Sequence, residues 1–438
     1  MSLNLEVIIL SPEYEALGPV NKMIALRWTE RSHSFGDFCL WCPLTAENAE
    51  LLQKENLVWI GSDTVGVIEV IQKTKDNEGS LSLQVSGRFN ECWLERRIVW
   101  DRYSGTNYVS NHMRNLVYAN AVSPTLSVRR IPHIVLSGDQ GVQGSSIALS
   151  VHMDNLWSSL DELGKAHGLS PRLANDVPSK TASFVVRKGV DRSINQSSVP
   201  AVVLSSELSD ILSSDYSSDN TSFKNTALVA GAGEGDVRKQ TTVNPENSGL
   251  IRREMSVDAR DISDIETWDS KVSTTVTILR VRYDDSNEPY DWKIRTVTVK
   301  TLTNPNTGEK RTTTDNVVSW VAEEPTEGTT TETGTEEVEI DASIYAGMLS
   351  ERGKAYLSEN PKIEAFNSQV RMQGARAYTY GEDYFLGDRI TVQDIDLKIE
   401  VSTEVTEVEQ TWDEESYSVV LTLGDSAPTI KELIQKRS

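Results

Sequence analysis

Basic residues are in short supply. Against 65 Asp and Glu the 438-residue chain sets only 43 Lys and Arg, a formal net charge of −22. A surface that grips nucleic acid by its phosphates needs clustered Lys and Arg, so that mode of binding is excluded, and an acidic wall would repel DNA passing along it. Cysteine is scarcer still. Cys39, Cys42 and Cys92 cannot build a disulfide framework, and the expected place of synthesis is a reducing cytoplasm. No apolar run approaches the ~18 residues of a membrane span. The opening MSLNLEVIIL has neither the basic segment nor the cleavage site of a signal peptide. His33, His112, His133, His152 and His167 show no paired spacing, so no metal centre is expected.

Two motifs look chemical and fail on context. Cys39-Leu40-Trp41-Cys42 has the spacing of a redox pair, yet it falls in a strand pattern and not at a helix N-terminus, and Cys92 alone cannot complete a structural zinc site. Ala230-Gly231-Ala232-Gly233-Glu234-Gly235 follows a strand, as a dinucleotide fingerprint would. Asp236 breaks the GxGxxG spacing, and the next residues read as strand where a helix should begin. No cofactor is expected.

What is present is alternation. The chain is long enough for about three domains, and most of it reads as strands with period 2. LNLEVIIL, the run from Leu17 to Thr29, Phe38–Trp41, Leu57–Ile60 and Val65–Lys73 lead to the central stretch Leu81–Trp100, LSLQVSGRFNECWLERRIVW. There Leu81, Leu83 and Val85 alternate with Ser82, Gln84 and Ser86 until Gly87 marks a bulge or a close backbone approach. Arg88, Arg96, Arg97 and Trp100 follow as candidate subunit-interface residues, because Arg and Trp anchor interfaces. The plainer reading, of solvated arginines beside a core Trp100, stands next to it.

Further on, Thr45 and its neighbours cap a helix over Ala46–Lys54. Helical spacing covers Val109, Met113, Leu116, Val117 and Asn120, then Met153–Gly168 with Asp154 as N-cap. Ser205–Ser222 reads as a serine-rich loop. Val321–Asp341, with eight acidic residues and no basic one, reads as a solvated loop or hairpin tip. Ile344–Leu357 suggests a helix ended by Asn360-Pro361.

The strand ending in Gly87-Arg88, the Arg96-Arg97 pair and Ile98-Val99-Trp100 resemble the tail-associated baseplate or tail-tip hub proteins of long-tailed, siphovirus-type phages and prophages of Gram-positive bacteria. Gly36-Asp37-Phe38 with Pro43-Leu44-Thr45, Lys224–Gly231, and Arg252–Asp261 agree with that family in order along the chain. The resemblance implies a mainly β, α+β fold: two tail-tube-like β-barrel or sandwich domains, an α/β insertion domain and a smaller β-rich insertion. The corresponding segments are 1–104 for the first tube-like domain and 105–180 for the α/β domain with two helices. Segments 181–262 and 372–438 make the second tube-like domain, and 263–371 the inserted hairpins, acidic Thr-rich loop and helix. An echo between the alternating hairpins 65–87 and 403–423 fits two such modules.

The function so implied is structural and not enzymatic. A ring, expected to be a trimer, would adapt the hexameric tail tube to the tip and line the DNA channel. Its partners would be further copies of the chain, the distal tail, tail-tube and tape-measure proteins, and a central fibre or tip protein. It would bind no nucleic acid by sequence, and would be made in the bacterial host cytoplasm and carried in the virion. The rival classes are a tail-associated peptidoglycan hydrolase and a carbohydrate-binding receptor module. The first needs two placed carboxylates, which 65 acidic residues do not exclude by count. No lysozyme-like, amidase or peptidase module is expected from the sequence.

Overall fold

The chain opens in short strands whose apolar residues share one side. In the computed structural model, residues 5–75, 79–138, 141, 143–207, 211–305, 308–370, 378–413 and 416–424 are described. First come β1 (Ile8–Leu10), β2 (Ala16–Pro19), β3 (Ala25–Arg31) and β4 (Asp37–Pro43). Helix α1 (Ala46–Leu51) follows; the Thr45 hydroxyl caps it by accepting from the Asn48 N–H at 3.1 Å, and it stops short of the expected Lys54. Then come β5 (Leu57–Trp59), β6 (Val65–Val67), β7 (Val70–Lys75) and β8 (Leu81–Arg88). A Cβ at Gly87 would lie 1.8 Å from the Val67 carbonyl oxygen, so this glycine serves a close backbone approach.

Next come α2 (Cys92–Glu95), β9 (Tyr103–Tyr108), α3 (Val109–Val117), β10 (Ile134–Leu136), β11 (Ser146–Val151), α4 (Leu156–His167), β12 (Ser170–Asp176) and β13 (Thr181–Arg187). The stripes Val109, Met113, Leu116 and Leu156, Trp157, Leu160 are buried together in one core with Trp93 and Phe184. Asn155, and not the expected Asp154, caps α4, its side-chain oxygen accepting from Ser158 N at 3.2 Å. Gly168 ends that helix in the left-handed region at φ 62°.

The remainder is β14 (Val203–Ser205), β15 (Ile211–Asp219), β16 (Thr226–Ala230), β17 (Gln240–Val243), β18 (Glu254–Asp258), β19 (Ile265–Tyr283), β20 (Pro289–Thr303), β21 (Lys310–Val321), β22 (Gly328–Glu339), α5 (Ala342–Ser358), β23 (Ile363–Val370), β24 (Arg389–Asp394), β25 (Ile399–Asp413) and β26 (Tyr417–Leu423). The fold is thus mainly β, in several sheets with helices between them, as the sequence implies.

Two expected loops are strands. β15 lies in the serine-rich stretch and is held by antiparallel pairing with β23, Tyr216 opposite Phe366; tertiary pairing outweighs the weak strand preference of Ser and Asp. β22 takes up most of the acidic Thr-rich stretch, pairing with β19 over Ile265–Val276. Its threonines are β-branched and bond across strands, Thr275 to Thr329 at 2.9 Å and Ser273 to Thr331 at 3.2 Å. Residues 76–78, within the expected hairpin 65–87, and residues 425–438, within the expected second tube-like segment, lie outside the described residues.

The largest sheet has ten strands, and its main path runs β15-β23-β26-β25-β3-β4-β8-β7. Every pairing along that path is antiparallel. In chain order its first-half strands are β3, β4, β7 and β8, standing in space as first-second-fourth-third. The second-half strands β15, β23, β25 and β26 stand in the same order. The chain therefore contains one four-strand topology twice, and the copies meet where β25 pairs with β3.

Each copy has its own core. Leu26, Trp28, Phe38, Leu40, Leu83, Val85 and Phe89 fill the first. Phe366, Val370, Ile390, Val392, Val405, Val408, Leu421 and Leu423 fill the second. Residues 226–258, grouped by sequence with the second tube-like segment, form a separate sheet ordered β17-β16-β18. Ala227, Val229 and Val257 of that sheet pack against Tyr345, Met348 and Leu349 of α5. Strands β19 to β22 form another sheet, ordered β21-β20-β19-β22, called the arm below.

Candidate assembly surfaces

The seam between the two repeats is built differently on its two sides. On the core side Leu26 faces Trp412, and Trp28 faces Gln410. The Trp28 ring lies 4.6 Å from Phe89 and 5.9 Å from Phe38, and its Nε1 donates to the Thr64 hydroxyl at 3.2 Å. On the other side alternation brings out charge. Arg31 donates to Glu407 at 2.6 Å, to Asp37 at 2.6 Å and to the Phe35 carbonyl at 2.9 Å. Arg27 stands 3.5 Å from Asp37 and 3.8 Å from Glu409. One arginine thus ties β3 to β25 across the junction with charge-assisted bonds.

Register places further residues on this face: Ser82, Gln84, Ser86 and Arg88 of β8, Asp413 of β25, Thr422 of β26, and Asp215 and Asp219 of β15. Among the charged groups Asp37, Glu407, Glu409, Asp413, Asp215 and Asp219 outnumber Arg27, Arg31 and Arg88. The face is polar with an acidic surplus, and it spans both repeats.

Beneath the seam sits a buried charged cluster. The side chains of Arg172 and Glu91 are 7% and 2% exposed and 3.9 Å apart. Arg172 also donates to the Arg31 carbonyl, and Glu91 accepts from Leu173 N at 3.2 Å. Burial pushes the carboxyls of both Glu91 and Glu30 above the usual range, and the attraction of Arg172 only partly opposes this.

The four candidate interface residues fall in different settings. Arg88 holds Glu69 through two bonds of 2.8 and 2.9 Å and Glu95 at 2.5 Å, and lies 4.9 Å over the Phe35 ring. The bond to Glu69 raises its pKa further. Arg96 pairs with Glu55 at 2.8 and 3.2 Å. Both are thus engaged within the chain. Arg97 donates to the Arg129 carbonyl at 2.6 Å, and Arg129 in turn lies 4.9 Å over the Trp100 ring and donates to the Ile98 carbonyl at 2.6 Å. Trp100 is 50% exposed and Val128 88%, with Ile98 and Leu126 also exposed.

The structure therefore joins Arg97 and Trp100 through Arg129, whose chain neighbours Leu126 and Val128 are exposed. Sequence reading missed the Arg129 side of that patch. Its signal was Leu126-Ser127-Val128-Arg129-Arg130, two apolar residues set among basic ones in a stretch too short to form a buried element.

The motifs set aside on sequence are accounted for locally. Cys39, Cys42 and Cys92 are free and buried. The Gly231 loop closes on its own chain: Arg238 donates to the Ala230 and Gly231 carbonyls at 2.6 and 2.9 Å, and the Tyr345 hydroxyl accepts from Ala232 N at 2.7 Å. Among the described residues no group of three or more His, Cys, Asp or Glu is placed to hold a metal ion, and no helix is long and apolar enough to cross a membrane.

A family model described as "Siphovirus ReqiPepy6 Gp37-like protein" matches residues 6–425. The chain belongs to that family. No curated protein matches it by sequence. Among solved structures, the Gp37-like chain is similar to the 43 kDa tail protein of prophage MuSo2 from Shewanella oneidensis, at 10% identity and TM-score 0.51, over 95% of this chain and 98% of that one. A tail protein from Neisseria meningitidis gives 12% identity and TM-score 0.50 over 96% of each chain. At these identities the likeness is one of fold. The chain is thus a member of a siphovirus Gp37-like family with the fold of prophage tail proteins.

Proposed function

We propose that the chain is a structural baseplate or tail-tip hub protein that closes into a ring of three copies, adapting a sixfold tail tube to the tip. The observation that carries this is the seam. Within the chain, β25 of one repeat pairs with β3 of the other, a third-position strand with a first-position strand. The ends of the same path are β7 and β15, again a third-position and a first-position strand. A neighbouring copy whose β15 pairs with this copy's β7 would repeat the internal seam. Such contacts are heterologous, and they close into a ring when the rotation per copy allows it. Three chains would present six repeats.

In that ring the acidic polar face lines the channel, and it favours DNA passage by repelling phosphates. The Arg97–Trp100–Arg129 patch is proposed as the contact to a neighbouring copy or tail protein, because exposed Trp and Arg beside apolar residues are typical anchors. Arg88, on the acidic face, and Arg96 are occupied by Glu69, Glu95 and Glu55 of their own chain and lie outside the proposed contact. The partners are the distal tail, tube, tape-measure and central tip proteins, and no catalytic step is assigned. The mass of the purified chain's assembly in solution tests the reading. Three copies and a ring in negative stain are expected. A twofold dimer, or release of cell-wall fragments with measurable turnover, would sink it, the latter in favour of a hydrolase.

A further inference from the structure

The arm contributes nothing to the four apolar cores, yet it holds the longest strand pairings among the described residues. β19 and β20 pair from Asp269–Thr303 to Tyr283–Pro289. The outer strands β21 and β22, of 12 residues each, pair with their inner neighbours without a register shift. Both are exposed along most of their length. Long outer strands are normally blunted by proline, bulges or charged side chains. The charges here include a basic pair, Lys310-Arg311, at the start of β21 and Glu332, Glu336, Glu337 and Glu339 along β22. Neither β21 nor β22 contains a proline, and neither pairing is bulged. Each presents a row of outward backbone groups to a possible strand partner.

The two edges match each other. Three antiparallel steps separate them, so β21 and β22 run antiparallel, and a second copy continuing the sheet would lay its β22 antiparallel along this β21. Level by level, Arg311 stands opposite Leu302, Leu302 opposite Ser270, and Ser270 opposite Gly334. Arg311 is therefore level with Gly334, whose same-face neighbours are Glu332 and Glu336. By the same steps Lys310 is level with Thr335, next to Glu337 on that face. The basic end of one edge is level with the acidic end of the other.

We propose that β21 of one copy pairs with β22 of the next, so that the arms join into a second band of sheet outside the tube-like ring. The occupant of the edge is a second copy of this chain. The proposal rests on the ring reading only for closure, because head-to-tail pairing without it would be open-ended.

Hydrogen exchange of the full chain, assembled against diluted to monomer, separates the two ideas. If both hold, segments 70–75, 211–219, 310–321 and 328–339 all exchange about tenfold or more slowly on assembly. Protection of 70–75 and 211–219 alone overturns the arm pairing and leaves the ring. Protection of 310–321 and 328–339 alone overturns the ring and supports the arm. A chain that stays monomeric at the highest concentration it dissolves to overturns both. Lys310→Glu should cut protection of the arm about two- to fivefold, the range of one cross-strand charge pair, and adding Glu337→Lys should restore it. A Lys310→Glu protein with unchanged arm protection, or one not rescued by Glu337→Lys, overturns the charge-matched register.

Discussion

The tube-like sheet and the arm are both antiparallel and both long, and they are stabilised by different means. In the tube-like sheet one face is dry, with Trp28, Phe38, Phe89 and Leu421 fully buried, and the other carries ion pairs. In the arm no residue from β19 to β22 belongs to any of the four buried clusters. Its cohesion comes from backbone ladders, threonine pairs, a small buried group of Trp268, Trp292 and Ile294 outside those clusters, and base contacts such as Arg311 lying 4.4 Å over Trp268 and Asn304 donating to Glu266 at 2.8 Å. A burial-driven sheet loses stability globally when a side chain is removed. A ladder-driven sheet loses it locally, because each bond is worth only about 1 kcal/mol net and its alternative is water.

The largest contrast is expected at Trp28. Truncation to alanine removes a fully buried ring from the first core, leaves the Thr64 hydroxyl without its donor, and should cost about 4 kcal/mol. Chemical denaturation of the whole chain checks this. A loss under about 1 kcal/mol would erase the difference between the two sheets, since it would mean the core relaxes as easily as the arm.

Arg172→Met should come next, at about 3 kcal/mol, because it strands the buried Glu91 without its cation and removes the larger attraction on the half-buried Glu30. The pH dependence has a definite sign. A carboxyl with a raised folded pKa binds its proton more tightly in the folded state, so its contribution is full at acid pH and is lost as pH rises through the folded value. Removing Arg172 raises those pKa values further. The variant should therefore lie closer to wild type at pH 5 than at pH 8, and an equal deficit at the two pH values would show that these carboxyls do not change charge state between them.

Trp100→Ala and Arg97→Ala probe a surface that belongs to neither sheet. If the patch docks a neighbour, assembly should weaken by about 2 kcal/mol, near thirtyfold in dissociation constant, with little change in monomer melting. Sedimentation and thermal melting of the same samples give both numbers. A large drop in monomer melting with no further loss of assembly would return Trp100 to the structural role of a junction residue stacked on Arg129.

How far the sequence could be read follows from the same contrast. The period-2 stretches of the tube-like sheet were legible because half of each strand is buried, and the helices over Val109–Val117 and Leu156–His167 because their stripes fill a core. β22 read as a loop because both its faces are wet, which leaves only threonine's β-branching as a signal. β15 was hidden for a related reason: serines and aspartates form a strand there only because β23 supplies the ladder. The candidate interface was half legible. Arg97 and Trp100 stand out by residue type, whereas Arg129 reaches them through a turn that no local pattern announces. Arg88 and Arg96 looked alike in sequence, and only the fold supplies Glu69, Glu95 and Glu55 to neutralise them.

The smallest expected effect is in the arm itself. Thr275 pairs its hydroxyl with Thr329 at 2.9 Å on an exposed face, and Val297 stands opposite it on β20. Thr275→Ala removes one solvent-accessible hydroxyl contact and one β-branched side chain from the middle of a strand. In the tube-like sheet an equal change on the dry face would be felt throughout the fold. Here it should shift global stability by less than about 0.5 kcal/mol. Its effect should appear instead as faster amide exchange confined to 265–283 and 328–339, because the pair bridges only β19 and β22 and no core transmits the loss. Hydrogen exchange of the monomer resolves the two cases. If Thr275→Ala lowers the denaturation midpoint of the whole chain as much as a core truncation, the arm is part of the cooperative unit, and its exposed ladders carry more of the fold than its few buried side chains, Trp268, Trp292 and Ile294, suggest.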